Sequence, residues 1–441
     1  MPLYPWMFQG PNGKVFYAGS DYNLSYLNPT YVNPANGQQG TWTDVFTPGG
    51  RAFGNRVYGT AAMFAPGQIL LAGGCDGNTV TNTAEILDLT GGVTTVTGQD
   101  GVSYKQPVVT RAADMRNARW HVNSTILPDG TVLATGGSRV NGASDRHQAV
   151  MEAEIWSPPP PYGNGATGTG TWTTVAPMAE ARMYHSTAVL LPDGRVLSAG
   201  GEENIKYDPF QPNVNNHCTA ELYSPPYLFD AAGNPRVRPT ITGAPTHVGY
   251  GQPFTVVARP GTGTVARVTL VRLSSVTHSF NMNQRFLEPA KGAMTTAQGA
   301  TSVPLTAPAD GNVCPPGHYW LFVLNSDGVP SVGQVVQIDA SPCAVAPVLT
   351  AAYLSDGNCA ATATASVAGQ NLGTDYRWTI DGVADSSFDG QPSASVDLSR
   401  CRPQATLGVR VTPTCGGPAV ENFVSVSRGF SPGNCPACPS P

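Results

Sequence analysis

One hairpin phrase recurs along the first half of the chain. "LYPWMFQGPNGKVFYAGS", "RVYGTAAMFAPGQILLAGG", "RWHVNSTILPDGTVLATGG" and "RMYHSTAVLLPDGRVLSAGG" share a plan. Each is an apolar strand, a Pro/Gly or Asp-Gly turn, and a second strand ending in small residues, a chemistry that specifies tight hairpins. Three copies are followed by a second shared phrase, "TAEILDL", "EAEIWSP" and "TAELYSP". The copies return every 54 to 64 residues, near the kelch period of about 50. A unit of that kind is a four-stranded propeller blade, which buries its faces only by stacking on its neighbours. Residues 1–235 are therefore predicted to form about four kelch-type blades of a partial β-propeller.

The repeats align on one another. Fifteen residues before Gly73, Gly136 and Gly200, the first glycine of each GG pair, stand Tyr58, His121 and His185; the same step from Gly19 reaches Tyr4. Inner strands line the central channel of a propeller, so these four side chains are expected to form a polar and aromatic ring at one mouth. Tyr184 stands beside His185. Taken alone, that imidazole reads first as a satisfied histidine at a strand end. Glu85, Glu154 and Glu221 recur once per repeat, which marks them as blade-stabilising. Paired carboxylates for glycoside chemistry are not evident.

Two further β-domains follow. Residues 236–340 alternate apolar and polar positions between regular turns, as an immunoglobulin-like (early-set) β-sandwich does; the loop phrase "SSVTHSFNMNQRF" carries His278. Residues 341–441 read as a small Cys-rich β-sandwich with Trp378 as its core anchor. Six of the nine cysteines fall in it, Cys343, Cys359, Cys401, Cys415, Cys435 and Cys438. An even count with almost no histidine points to disulfides and not zinc. With 50 glycines, 40 prolines and 12% charged residues, the composition suits a turn-dense, all-β chain. A net charge of -5 and only four lysines argue against nucleic acid and anionic lipid as partners. No apolar run has the length of a membrane span, and no signal peptide is visible. The disulfides nevertheless point to a secreted or cell-surface protein, expected to be a monomer.

The phrases "RMYHSTAVLLPDGRV", "LYSPPYLF", "THSFNMNQR" and "GHYWLFVLNSDGVPSV" resemble the copper radical oxidases, galactose oxidase and glyoxal oxidase, over about residues 1 to 340. The resemblance implies a propeller followed by an all-β domain, one of whose loops carries a histidine to a metal in the channel. It makes His185 and His278 equatorial Cu2+ ligands, and Tyr184 the axial tyrosinate and catalytic base, residue types that suit tetragonal Cu(II) and proton removal. It implies oxidation of a small-molecule alcohol, aldehyde or carbohydrate with O2 as acceptor and hydrogen peroxide as product. Under it, His121, Tyr58 and Tyr4 are wall residues, and Gln284 and Arg285 brace the His278 loop.

The sequence departs from the family at the radical. The family's cofactor is a tyrosine joined by a thioether to a cysteine, both on early blades. Here no cysteine holds a ring position: Cys75 follows its GG pair and Cys218 lies in a late loop. The chain is accordingly read as the C-terminal part of a longer oxidase, its first blades, Tyr-Cys cofactor and export signal lying outside the sequence, and inactive by itself. An open half-propeller would otherwise expose sheet faces and edges. Two alternatives stand beside this reading: a non-radical metal site on a kelch scaffold, and a metal-free extracellular carbohydrate-binding or adhesion protein.

Overall fold

The structure is a computed structural model that describes residues 4–45, 51–141, 146–159, 168–202, 217–340, 348–354, 360–368, 372–399, 404–413 and 420–427. Among these residues the fold is all-β, with short 3-10 turns and no α-helix; no helix is long and apolar enough to cross a membrane. Contacts divide the chain into two compact units, residues 1–244 with 253–338, and residues 245–252 with 339–441.

Each hairpin phrase opens an antiparallel sheet. The first sheet runs Met7–Gln9, Val15–Tyr17, Ser25–Val32, Gln39–Asp44; the second runs Thr60–Ala65, Gln68–Ala72, Ala84–Asp88, Val108–Arg111. The third runs Asn123–Ile126, Val132–Thr135, Glu152–Ser157, Thr171–Pro177, and the fourth has three described strands, Ser186–Leu190, Val196–Gly200 and Ala220–Tyr223. In the second and third sheets the two hairpin strands are buried at every position, because neighbouring sheets cover both faces.

A shared polar clamp holds the second, third and fourth blades, and the sequence reading missed half of it. Two or three residues before the ring position stands a fully buried arginine: Arg56, Arg119 or Arg182. Its Nη1 donates to the carbonyl of the first GG glycine, at 2.9 Å to Gly73, 2.9 Å to Gly136 and 2.8 Å to Gly200. Its guanidinium also pairs with the recurrent glutamate, Arg56 with Glu85 at 3.0 Å, Arg119 with Glu154 at 2.7 Å and Arg182 with Glu221 at 3.2 Å. That glutamate in turn accepts a backbone N–H from the incoming loop, of Ala52, Arg116 or Ala179. Several charge-assisted bonds to each member offset the desolvation of such a buried pair.

The second glycine of the GG pair links one blade to the next. Gly74 N donates to Arg119 O and Gly137 N to Arg182 O, both at 2.8 Å. The Gly136 backbone is left-handed (φ +68°), and a Cβ there would lie 2.3 Å from Arg182 O.

Residues 253–338 pack in the same unit as the blades. One sheet orders Thr240–Gly243, Pro253–Arg259, Ala300–Thr306, Ala290–Lys291; the other pairs Gly317–Asn325 with Val265–Arg272 and Gln334–Asp339. Val271, Phe286, Phe322 and Leu324 from these strands share a core with Phe64, Leu133 and Trp156 of the blades. In the second unit, two sheets enclose Trp378 (1% exposed), Leu407 and Val409, and Trp378 Nε1 donates to Gln391 O. All six cysteines expected to pair in this region lie outside the described residues. Cys75, Cys218 and Cys314 form no disulfide.

Candidate metal centre

The aligned ring residues share one backbone state. Tyr4, Tyr58, His121 and His185 all have left-handed φ values, +57°, +53°, +63° and +60°, rare for side chains of this size. The coincidence identifies them as one structural position repeated in four blades. Their rings follow one another in space. Tyr4 and Tyr58 centroids are 6.0 Å apart, Tyr58 and His121 4.5 Å, and His121 stacks on Tyr184 at 4.6 Å.

The fourth blade differs by one residue. Arginine precedes the ring position by two in the second and third blades (Arg56–Tyr58, Arg119–His121) and by three in the fourth (Arg182–His185). In the fourth blade Tyr184 directly precedes the ring-position His185, with ring centroids 3.8 Å apart.

His278 arrives from the second sandwich sheet. Thr277 N–H donates to Phe280 O and Phe280 N–H to Thr277 O, closing a two-residue turn whose centre is His278 (φ +52°) and Ser279 (φ +67°). Two left-handed non-glycine residues in succession form a type I′ turn and carry backbone strain. The turn is held from below. Phe280 is buried against Trp6, Tyr4 and Tyr58, and Ser279 Oγ donates to His121 O. Gln284 is 1% exposed; its Oε1 accepts from Ile126 N at 2.7 Å and its Nε2 donates to Ser124 O at 2.9 Å. Arg285 donates to Asn312 O, Val313 O and Gln9 O.

At the tip, His278 lies 4.7 Å from His185 and 5.7 Å from Tyr184 by ring centroid, and it stacks on Tyr4 at 4.1 Å. The Nδ1 of His278 is 2.7 Å from Thr277 Oγ1. The Nδ1 of His185 bonds to the Glu202 carboxylate. With both Nδ1 atoms engaged, each imidazole retains Nε2 for a ligand. Burial and the neighbouring His185 hold His278 below the usual histidine pKa. Burial and the Tyr58 hydroxyl raise the Tyr184 phenol above its usual value. Among the described residues no three His, Cys, Asp or Glu side chains form a metal-binding group.

His121 holds the equivalent position in the third blade in different surroundings. It is 2% exposed, neither ring nitrogen has a hydrogen-bond partner, and burial followed by the charge of His185 pushes its pKa down to about 3. Sequence reasoning missed Glu202 and the buried arginines. The arginines could have been found from their recurrence two or three residues before the ring position, and Glu202 from its place directly after Gly200-Gly201.

The sequence pattern of the glyoxal oxidase N-terminus matches residues 3–227, about half of the chain, and that of the galactose oxidase-like early set domain matches residues 238–338. The chain belongs to the galactose oxidase and glyoxal oxidase family of copper radical oxidases. It is 30% identical to a galactose oxidase of Gibberella zeae over 345 residues, 76% of this chain and 44% of that enzyme. It is 34% identical to the aldehyde oxidase GLOX1 of Arabidopsis thaliana over 238 residues, 52% of this chain and 37% of that protein. This family member thus spans under half the length of either relative. A solved fungal alcohol oxidase of the AA5 family, in complex with copper, matches with a TM-score of 0.62 and 26% identity over 76% of this chain and 63% of the other.

Proposed function

We propose that Tyr184, His185 and His278 hold one Cu(II), and that the site serves copper- and O2-dependent oxidation of a primary alcohol or an aldehyde with release of hydrogen peroxide. The observation that carries this reading is the meeting of a blade's Tyr-His pair with a histidine from the sandwich loop, in a chain of this family. The donor set fits the ion. Two imidazoles with free Nε2 atoms and one phenol oxygen suit tetragonal Cu(II), where carboxylate clusters suit Mg2+ or Ca2+.

Copper bound there would supply a Lewis-acidic seat for the substrate oxygen and a one-electron acceptor. The chain's own part is to orient and to move a proton. Tyr184, kept protonated in the metal-free protein, is the oxygen within reach to accept the substrate hydroxyl proton once a cation lowers its pKa. Tyr58 and Tyr4, whose hydroxyls interact with that of Tyr184, steady it. The proposed setting is outside the cell, which the cysteine-rich C-terminal region favours.

A metal site without radical chemistry is the second reading. The observation favouring it is that no ring position in the sequence, Tyr4, Tyr58, His121 or His185, holds a cysteine for a thioether. One copper accepts one electron, whereas oxidising an alcohol to an aldehyde removes two. The test loads the chain with copper and measures peroxide with galactose, glyoxal, methylglyoxal and simple alcohols under oxygen. Copper binding without sustained peroxide is expected for these residues alone. Sustained peroxide that disappears in His185→Ala would establish oxidase turnover without the thioether and remove the second reading.

A further inference from the structure

We propose that Glu202 is a positioning residue for the metal centre: its carboxylate fixes His185 as the Nδ1–H tautomer and strengthens Nε2 as a donor to Cu(II). The inference rests on the copper reading above and deepens it. Residues directly after a GG pair hold one place in each blade. Cys75 pairs with Val57, Ser138 with Trp120 and Glu202 with Tyr184 through backbone hydrogen bonds, Cys75 N to Val57 O at 3.0 Å, Ser138 N to Trp120 O at 2.8 Å and Glu202 N to Tyr184 O at 2.7 Å. The scaffold is common to all three. Only the fourth blade carries a carboxylate on it, and only there does that side chain bond the ring-position imidazole.

The third blade is an internal comparison. It also has a histidine at the ring position, but Ser138 stands where Glu202 would be, and both nitrogens of His121 lack a partner. The two histidines therefore share backbone geometry and differ in the group behind the ring. A carboxylate behind a ligating histidine sets ring orientation and raises basicity, and its loss typically lowers metal affinity 10- to 100-fold. Glu202 also ties itself to both candidate ligands of the blade at once, Tyr184 through the backbone and His185 through the side chain. Its negative charge favours Cu(II) over Cu(I), since the more highly charged ion gains more from it.

The experiment uses the whole chain. Nitrogen NMR of the metal-free protein labelled with 15N-histidine should show His185 protonated at Nδ1, and Glu202→Ala should shift it towards the other tautomer or a mixture. Copper titration should then show Cu(II) affinity about 10- to 100-fold lower in Glu202→Ala and reduced in Glu202→Gln, with a smaller change for Cu(I) measured under reducing conditions. A residue that merely supported the loop would weaken both ions alike. Wild-type Cu(II) affinity in both variants, equal losses for the two ions, or an unprotonated Nδ1 in the metal-free wild type overturns the proposal. His278→Ala separates the two claims. If it binds copper as the wild type does, the metal assignment fails and Glu202 fails with it; if it loses copper while the Glu202 variants do not, Glu202 alone is wrong.

Discussion

At the scale of residues, the site is built from positions that most sequences avoid. Five of its aromatic and imidazole residues, Tyr4, Tyr58, His121, His185 and His278, sit at positive φ, each costing on the order of 1–2 kcal/mol relative to a glycine. The buried clamps hold the ring positions in that state. Arg119 and Glu154 are almost wholly shielded from solvent and 2.7 Å apart. Arg119→Ala leaves a buried carboxylate unpaired and is expected to cost about 3–5 kcal/mol, measured by urea unfolding; Arg119→Met with Glu154→Leu should recover only part of that loss, because the Gly136 carbonyl and the Arg116 N–H lose their partners. The second blade predicts a pH dependence. Burial alone would raise the Glu85 carboxyl, but Arg51, Arg56 and the Ala52 N–H hold it below its usual 4.5. A carboxyl with a depressed folded-state pKa contributes stability above its unfolded pKa and loses it as pH falls through the folded one. The gap in urea midpoint between wild type and Glu85→Gln should therefore be constant from pH 7 to about 4.5 and shrink below it. A gap that is unchanged at pH 3 contradicts the assignment.

The ring residues were legible because a fixed offset from each GG pair is a counting exercise. Glu202 was marked only by its place after a GG pair, and nothing in the local pattern says which way a side chain points from there. The role expected of Gln284 and Arg285 rested on resemblance alone; the bonds of Gln284 to Ser124 and Ile126 and of Arg285 to Gln9 span well over a hundred residues, beyond any sequence window.

At the scale of elements, hairpins were the easiest reading, because Asp-Gly and Pro-Gly turns act locally. Outer strands were harder. The hairpin Thr95–Thr97 with Ser103–Lys105 interrupts the second blade between its third and fourth strands, which stretches the repeat without leaving a periodic mark. What joins the blades is the glycine pair. Gly136→Ala would need a left-handed alanine and a Cβ 2.3 Å from Arg182 O, so the third and fourth blades must separate or shift. The backbone contribution alone is about 1–2 kcal/mol, and thermal unfolding should show a larger loss than Gly233→Ala, where the φ is similarly positive (+84°) but no atom lies within 4 Å. Equal losses at the two sites would show that strain, and not inter-blade contact, sets the cost.

At the scale of the whole molecule, the blades and residues 253–338 form one unit whose purpose in this account is to bring His278 to Tyr184 and His185. Sequence periodicity alone could not foresee that meeting, because it joins a loop to a strand entrance nearly a hundred residues away; family resemblance could. Mass spectrometry without reduction should find most of Cys343, Cys359, Cys401, Cys415, Cys435 and Cys438 paired in oxidatively folded protein, whereas six alkylated thiols would remove both the disulfides and the proposed extracellular setting.

The central claim is that two imidazoles from two different elements share one copper. Electron paramagnetic resonance of the chain loaded with one equivalent of Cu(II), prepared with 14N- and then 15N-histidine, counts the coordinated nitrogens directly. The account predicts one copper per chain with coupling to two histidine nitrogens, and a protein that no longer binds Cu(II) tightly once His278 is replaced by alanine. A spectrum and stoichiometry unchanged by His278→Ala would contradict it.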